Sequence, residues 1–216
     1  MERARVGILG SGMVGQALAR GFAGRGHEVR IGSRSPDKLA GFAAEAGVGT
    51  GTFSEVAERG ELVVLATLGA AAEEAVGLAG PERLAGKVVI DTTNPLDFSG
   101  GRTTPAMFVG WDDLLGERIQ RAAPEARVVK CFSTVPSTAM VDPSFEGGPA
   151  DMFIAGDDPA AKATVTELLH SFGWPSVIDT GGIEGARLLE PLTILWVIVG
   201  QRRGGWDHAF KVVAGS

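Results

Sequence analysis

Short apolar runs alternate along the chain with Ala- and Leu-rich stretches whose polar residues recur at helical spacing. RVGIL (5–9), HEVRI (27–31), ELVVLA (61–66), KVVID (87–91), ARVVK (126–130), DMFIAG (151–156) and SVIDT (176–180) read as strands. Each is short and almost continuously apolar, the pattern of strands covered on both faces. Helical periodicity falls over 13–25, 37–46, 54–60, near 70–79, over 111–122 and over 158–172. Ser54 is the expected N-cap of the third of these. Pro36 and Pro159 stand at first-turn positions, where a missing N–H costs nothing. Strand–helix–strand alternation with these lengths predicts an α/β fold, a doubly wound parallel sheet with right-handed crossovers.

Beyond about residue 181 the pattern changes. IEGARLLEPLTILWVIVGQRRGGWDHAF carries apolar residues on every side of a helix, so the helix must be covered. The expected organisation is therefore a sheet domain over 1–180 and a small helical C-terminal lobe over 181–216. A second subunit is the expected cover, giving a homodimer through that helix. Trp196 and Trp206 could cover a flat cofactor or fill the interface, and the interface is the expected place.

Composition narrows the function. A net charge of -6 over 216 residues argues against a nucleic-acid partner, which needs a basic face. A single cysteine, Cys131, leaves no internal disulfide and no cysteine-rich metal site. The chain enters its first strand almost at once, leaving no room for a signal peptide, and Glu190 and Pro191 break its longest apolar run. A cytoplasmic protein without a membrane partner is expected.

The chemistry begins at ILGSGMVGQAL, where Gly10, Gly12 and Gly15 stand in the spacing G-x-G-x-x-G between the first strand and the first helix. In that context the motif is a dinucleotide-binding Rossmann fingerprint. Gly10 permits a tight turn, Gly12 lets a pyrophosphate approach the backbone, and Gly15 lets the helix pack on the strand. The N–H groups of the helix N-terminus would face the phosphates.

Roughly 20 residues after the first glycine, an acidic residue normally holds the ribose 2′-hydroxyl of NAD. Here the second strand ends in Gly32, Ser33 and Arg34. A hydroxyl and a guanidinium suit a 2′-phosphate, and Lys38 could add a third contact. The expected ligand is NADP(H). The ligand of such a sheet lies outside the carboxyl ends of its strands. Thr67 and Leu68, Asn94 and Pro95, and the polar ledge of KCFSTVPST, residues 130–138, are the readable tips.

Tyrosine is absent and the three histidines are scattered, which removes a Tyr–Lys pair and any paired-histidine metal site. Reducing a carbonyl needs a proton donor beside the hydride donor. A flavin or deazaflavin takes hydride into a conjugated ring, and a site for it needs mainly to place two flat rings face to face.

RVGILGSGMVGQALARGF, GSRSPDK, DTTNPL, VVKCFSTVP and DTGGIEGARLLEPL, in that order, resemble the NADPH-dependent coenzyme F420 reductases. The resemblance implies a Rossmann domain binding NADP(H), a small C-terminal lobe, a homodimer, and direct hydride transfer between NADPH and coenzyme F420 or a flavin. Carried over by position, it implies that Ser11, Gly12, Met13 and Val14 meet the pyrophosphate and that Ser33, Arg34 and Lys38 meet the 2′-phosphate. Thr67, Leu68, Asn94, Pro95, Thr134, Val135 and Pro136 would line the ring end. No side chain is expected to act as a catalytic acid or base. CFSTV departs from the KAFNT or HTIP of many relatives, with Ser133 in place of an asparagine. Two other readings remain open: reduction of a small imine or carbonyl, and a nonenzymatic NADP(H) sensor.

Overall fold

The structure is a computed structural model, and residues 2–101 and 103–213 are described. Six strands form one parallel sheet: β1 (Arg5–Leu9), β2 (Glu28–Gly32), β3 (Gly49–Gly51), β4 (Leu62–Leu65), β5 (Val88–Asp91) and β8 (Arg127–Lys130). Their order is β3-β2-β1-β4-β5-β8, so the chain doubles back between β1 and β4. β3 is a Gly-Thr-Gly segment whose weak strand propensity hides it from sequence reading.

Successive residues of each central strand face opposite layers. Leu62 and Val64 join one core, and Val63 and Leu65 join the other. The first core is closed by α1 (Met13–Gly24) and α7 (Pro159–Ser171), through Leu18, Phe22, Val165 and Leu168, with Trp174 fully buried. The second is closed by α3 (Phe53–Arg59), α4 (Ala72–Ala79) and α6 (Leu115–Ala122), through Val56, Val76 and Ile119. Helix α2 (Ala40–Ala46) and the one-turn α5 (Pro81–Leu84) complete the connections.

Three details differ from the sequence expectation. Helix α3 is capped by Thr52 rather than Ser54: Thr52 Oγ1 accepts from Glu55 N–H and Glu55 Oε2 accepts from Thr52 N–H, a reciprocal capping box. The stretch expected as a helix from 111 starts only at Leu115, after a small hairpin of β6 (Leu96–Asp97) and β7 (Ala106–Met107). Finally, β9 (Asp151–Ile154) and β10 (Ser176–Asp179) form a separate parallel pair. No helix crosses between β8 and β9, only a 3-10 turn at Ser137–Ala139, so the chain returns antiparallel and touches the sheet at the Lys130–Ala155 bridge.

Helix α8 (Ala186–Arg203) packs on α6, where Gly116 lies close against Ala186. Residues 214–216 of the expected lobe lie outside the described residues. No helix among the described residues is long and apolar enough to cross a membrane.

Candidate active site

The reversal between β1 and β4 places a cleft of about 430 Å³ at the carboxyl ends of the strands. The glycine loop forms its floor. Gly10 has φ +127°, and a Cβ there would sit 2.3 Å from the Ala66 carbonyl. A Cβ on Gly15 would sit 2.1 Å from the Gly10 carbonyl, so both positions exclude a side chain for internal reasons. Gly12 is different: a Cβ there would meet nothing within 4 Å. Its lack of a side chain serves the open cleft and not the packing of the protein. Gly12 is also the N-cap of α1, and the first intrahelical bond runs from Gln16 N–H to Gly12 O at 2.9 Å. The N–H groups of Met13, Val14 and Gly15 precede that bond, and no acidic residue stands in the first turn to occupy them.

Ser11, Met13, Val14, Ser33, Arg34, Thr67 and Leu68 line the same cleft. Ser33 is tied down by its N–H to Gly51 O, and its Oγ accepts from Ser35 N–H at 3.1 Å. Arg34 is exposed and has no ion pair among the described residues. Lys38 sits on a 3-10 turn, Pro36–Leu39, exposed but outside the cleft lining. A second hollow of about 490 Å³ lies between loop residues 145–150 and the tail around Arg203–Lys211. It holds none of the cofactor contacts expected from sequence.

Asn94, Pro95, Thr134, Val135 and Pro136 gather at the far end, on the tips of β5 and β8, outside the cleft lining. Asn94 Nδ2 donates to Ser133 O at 3.2 Å, joining the two tips. Thr193 of α8 places its hydroxyl 3.0 Å from both Asn94 Oδ1 and Ser133 O. Val135 and Thr134 are buried, and Pro136 opens the following 3-10 turn. Phe132 takes φ +62°, a left-handed conformation that is uncommon for a bulky residue and turns the chain sharply out of β8. Two buried hydroxyls near these tips, Thr67 Oγ1 and Ser133 Oγ, have no hydrogen-bond partner among the described residues.

Beneath the tips lies a buried ionic cluster. Lys130 Nζ donates to Asp91 Oδ2 at 2.9 Å, to the Thr93 carbonyl, and to Glu190 Oε1 at 2.9 Å. All three side chains are fully buried. Asp91 Oδ1 also accepts from Thr93 N–H and Oγ1–H, at 2.9 and 2.7 Å. Glu190 accepts from Leu115 N–H and Gly116 N–H, at 3.0 and 2.8 Å, so a carboxylate from α8 caps the N-terminus of α6. Burial alone would push the Lys130 pKa down, but the charges of Asp91 and Glu190 outweigh it and hold the ammonium above its ordinary value. The cluster thus fastens α8 to the strand ends that carry Asn94 and Ser133.

Sequence reading placed the tips but missed Asp91, Lys130, Glu190 and Thr193. The available signal was a charged residue closing each of two buried strands, and one acid inside an apolar helix. Cys131 is buried, and that burial pushes its thiol pKa well up. His27 is buried: its Nδ1 accepts from Ala4 N–H, and its ring packs edge-on to Phe22. His208 stacks on Trp196, with ring centroids 4.9 Å apart.

Residues 5–95 match the family described as NADP oxidoreductase, coenzyme F420-dependent. The F420-dependent NADP reductase of Methanothermobacter marburgensis is 31% identical over 207 residues, covering 89% of this chain and 91% of that one. This chain belongs to the F420-dependent NADP reductase family. As a member it is an oxidoreductase. A crystal structure of an Arthrobacter sp. FB24 protein assigned to the same reductases superposes with a TM-score of 0.94 at 41% identity, over 99% of this chain and 100% of that one. An imine reductase from Pseudomonas sp. shares the fold at 17% identity and TM-score 0.69; the match covers 94% of this chain and 64% of the imine reductase.

Proposed function

We propose that the protein binds NADP(H) in the cleft and moves hydride between its nicotinamide and a ring of the F420 deazaflavin type, or a flavin. The observation that carries the reading is the pairing of Gly12, whose missing side chain leaves the cleft open, with an unpaired Arg34 where an NAD site has an acid. In this reading the α1 N-terminus and Ser11 to Val14 hold the pyrophosphate. Ser33 and Arg34 hold the 2′-phosphate, with Lys38 adding long-range charge from outside the lining. Thr67, Leu68, Asn94, Pro95 and Thr134 to Pro136 border the ring end.

The residues supply placement and little else. Arg34 and Glu74 are the titratable side chains in the described cleft lining. At the ring end, the acids that are present, Asp91 and Glu190, are engaged by Lys130 and by backbone N–H groups. A ring that takes hydride into a conjugated system needs no proton from the protein, which suits such a site. Reduction of an imine or carbonyl would call for a proton donor, and the acids near the ring end are already engaged while the unpartnered hydroxyls of Thr67 and Ser133 are weak acids.

The α8 face bearing Leu188 and Leu195, 65% and 51% exposed, supports a homodimer closed through that helix. Sedimentation of the intact protein tests this, and Leu195→Asp should give monomers. The hydride reading is tested by following NADPH oxidation at 340 nm with F420, FMN, FAD and a cyclic imine in turn. Turnover with F420 or a flavin alone supports it. Turnover with the imine alone, or tight NADPH binding with no turnover, contradicts it.

A further inference from the structure

One wall of the cleft has no role in the reading above. Ala71, Glu74, Ala75 and Leu78 line it as a single stripe along one face of α4 and the turn before it. Two alanines make the stripe flat, and Leu78 stays 48% exposed at its end. The neighbouring acid Glu73 points away, with its carboxylate 3.8 Å from Arg118 on α6. Glu74 has no ion pair among the described residues and lines the same cleft as Ser33 and Arg34. A free carboxylate is a poor neighbour for a phosphate-rich ligand unless it accepts a hydrogen bond from that ligand.

The covalent structure of NADP(H) says which group that is. The 2′-phosphate and the base hang from adjacent carbons of one ribose, so a phosphate held at Arg34 puts the base beside Arg34. The glycine loop and the β2 tip are taken by the phosphates, which leaves the α4 stripe as the surface for a flat ring. Adenine carries one exocyclic donor, its 6-amino group. We propose that Glu74 is a specificity residue: the adenine lies on Ala71, Ala75 and Leu78, with its amino group donating to the Glu74 carboxylate. The cleft then reads both ends of the adenosine half, phosphate at Arg34 and base at Glu74. This rests on NADP(H) occupying the cleft.

The test compares NADP+ with its hypoxanthine analogue, in which a carbonyl acceptor replaces the amino donor, by titration calorimetry on the intact protein. The wild type should bind the adenine form about tenfold tighter, the scale of one hydrogen bond to a charged group. Glu74→Ala should bring the two affinities within about twofold by weakening the adenine form. Glu74→Gln should bind both, because its amide can accept from the amino group or donate to the carbonyl. The preference for NADP+ over NAD+ should survive both substitutions. Equal affinities in the wild type, or a preference that persists in Glu74→Ala, overturn the assignment while leaving NADP(H) binding intact. Failure of the wild type to bind either dinucleotide overturns the cofactor reading and this inference with it.

Discussion

Removing the negative charge of Glu190 tests whether the buried cluster ties α8 to the strand tips. Glu190→Gln keeps the volume of the side chain and one acceptor oxygen. It loses the charge that faces Lys130 Nζ at 2.9 Å and one of two acceptors for Leu115 and Gly116 N–H. A buried N–H left unpaired costs about 1–3 kcal/mol. Breaking a buried ion pair costs about 3–5 kcal/mol, but Lys130 keeps Asp91, so the lower end applies. The expected loss is about 3 kcal/mol, which for a chain of this size lowers Tm by roughly 6–12 °C. Lys130→Met should be worse, about 5 kcal/mol, because it leaves two buried carboxylates with no cation between them. Urea unfolding followed by tryptophan fluorescence measures both. A loss under about 1 kcal/mol for Glu190→Gln, or a milder effect for Lys130→Met, would mean that the cluster does not tie α8 to the strand tips.

The glycine loop separates folding from binding: Gly12→Val should melt like the wild type yet lose NADPH binding, whereas Gly15→Val should destabilise the fold, because its side chain meets the Gly10 carbonyl. Thermal melts with and without NADPH distinguish the two. Arg34→Ala should weaken NADPH by ~1.5–3 kcal/mol, towards the lower end for so exposed a group, and leave NADH within about twofold; equal losses for both would sink the clamp. Burial, with the charge of Arg25 beside it, holds the His27 imidazole below its ordinary value. The unfolded chain therefore takes up a proton first, and this contribution to stability, present above about pH 6.5, is lost as pH falls. His27→Gln should flatten the decline of Tm between about pH 7 and 5, read by scanning calorimetry.

The parts of this molecule that follow a local rule were legible in its sequence. The central strands, the glycine loop and Pro159 at the start of α7 each depend on neighbours within a few residues, and each stands where the pattern put it. Ser33 and Arg34 lie in the same cleft as the glycine loop because a parallel sheet brings the tips of β1 and β2 together. What escaped depends on distant partners. Lys130, Asp91 and Glu190 are separated widely along the chain, and nothing at any one of them announces the other two. Thr193 reads as one polar residue in an apolar helix until the fold sets it against Asn94. The antiparallel return of β9 followed from a missing crossover helix, a feature of the connection rather than of the strand. Thr52 displaced Ser54 as a cap because Glu55 lies three residues beyond Thr52, the spacing a reciprocal cap requires.

Under the proposed function, hydride passes directly between two rings stacked at the end of this cleft. Single-turnover reduction of F420, whose ring carbon keeps the transferred hydrogen against exchange, by NADPH carrying deuterium at one face of the nicotinamide C4 and run in ordinary water, is the decisive measurement. With one labelled face the deuterium should be delivered to the F420 ring, with the other it should stay on the nicotinamide, and transfer should be slower for the delivered isotope. Reduction without an isotope effect and with the label released to water from both faces, or no reduction of F420, would rule out direct transfer.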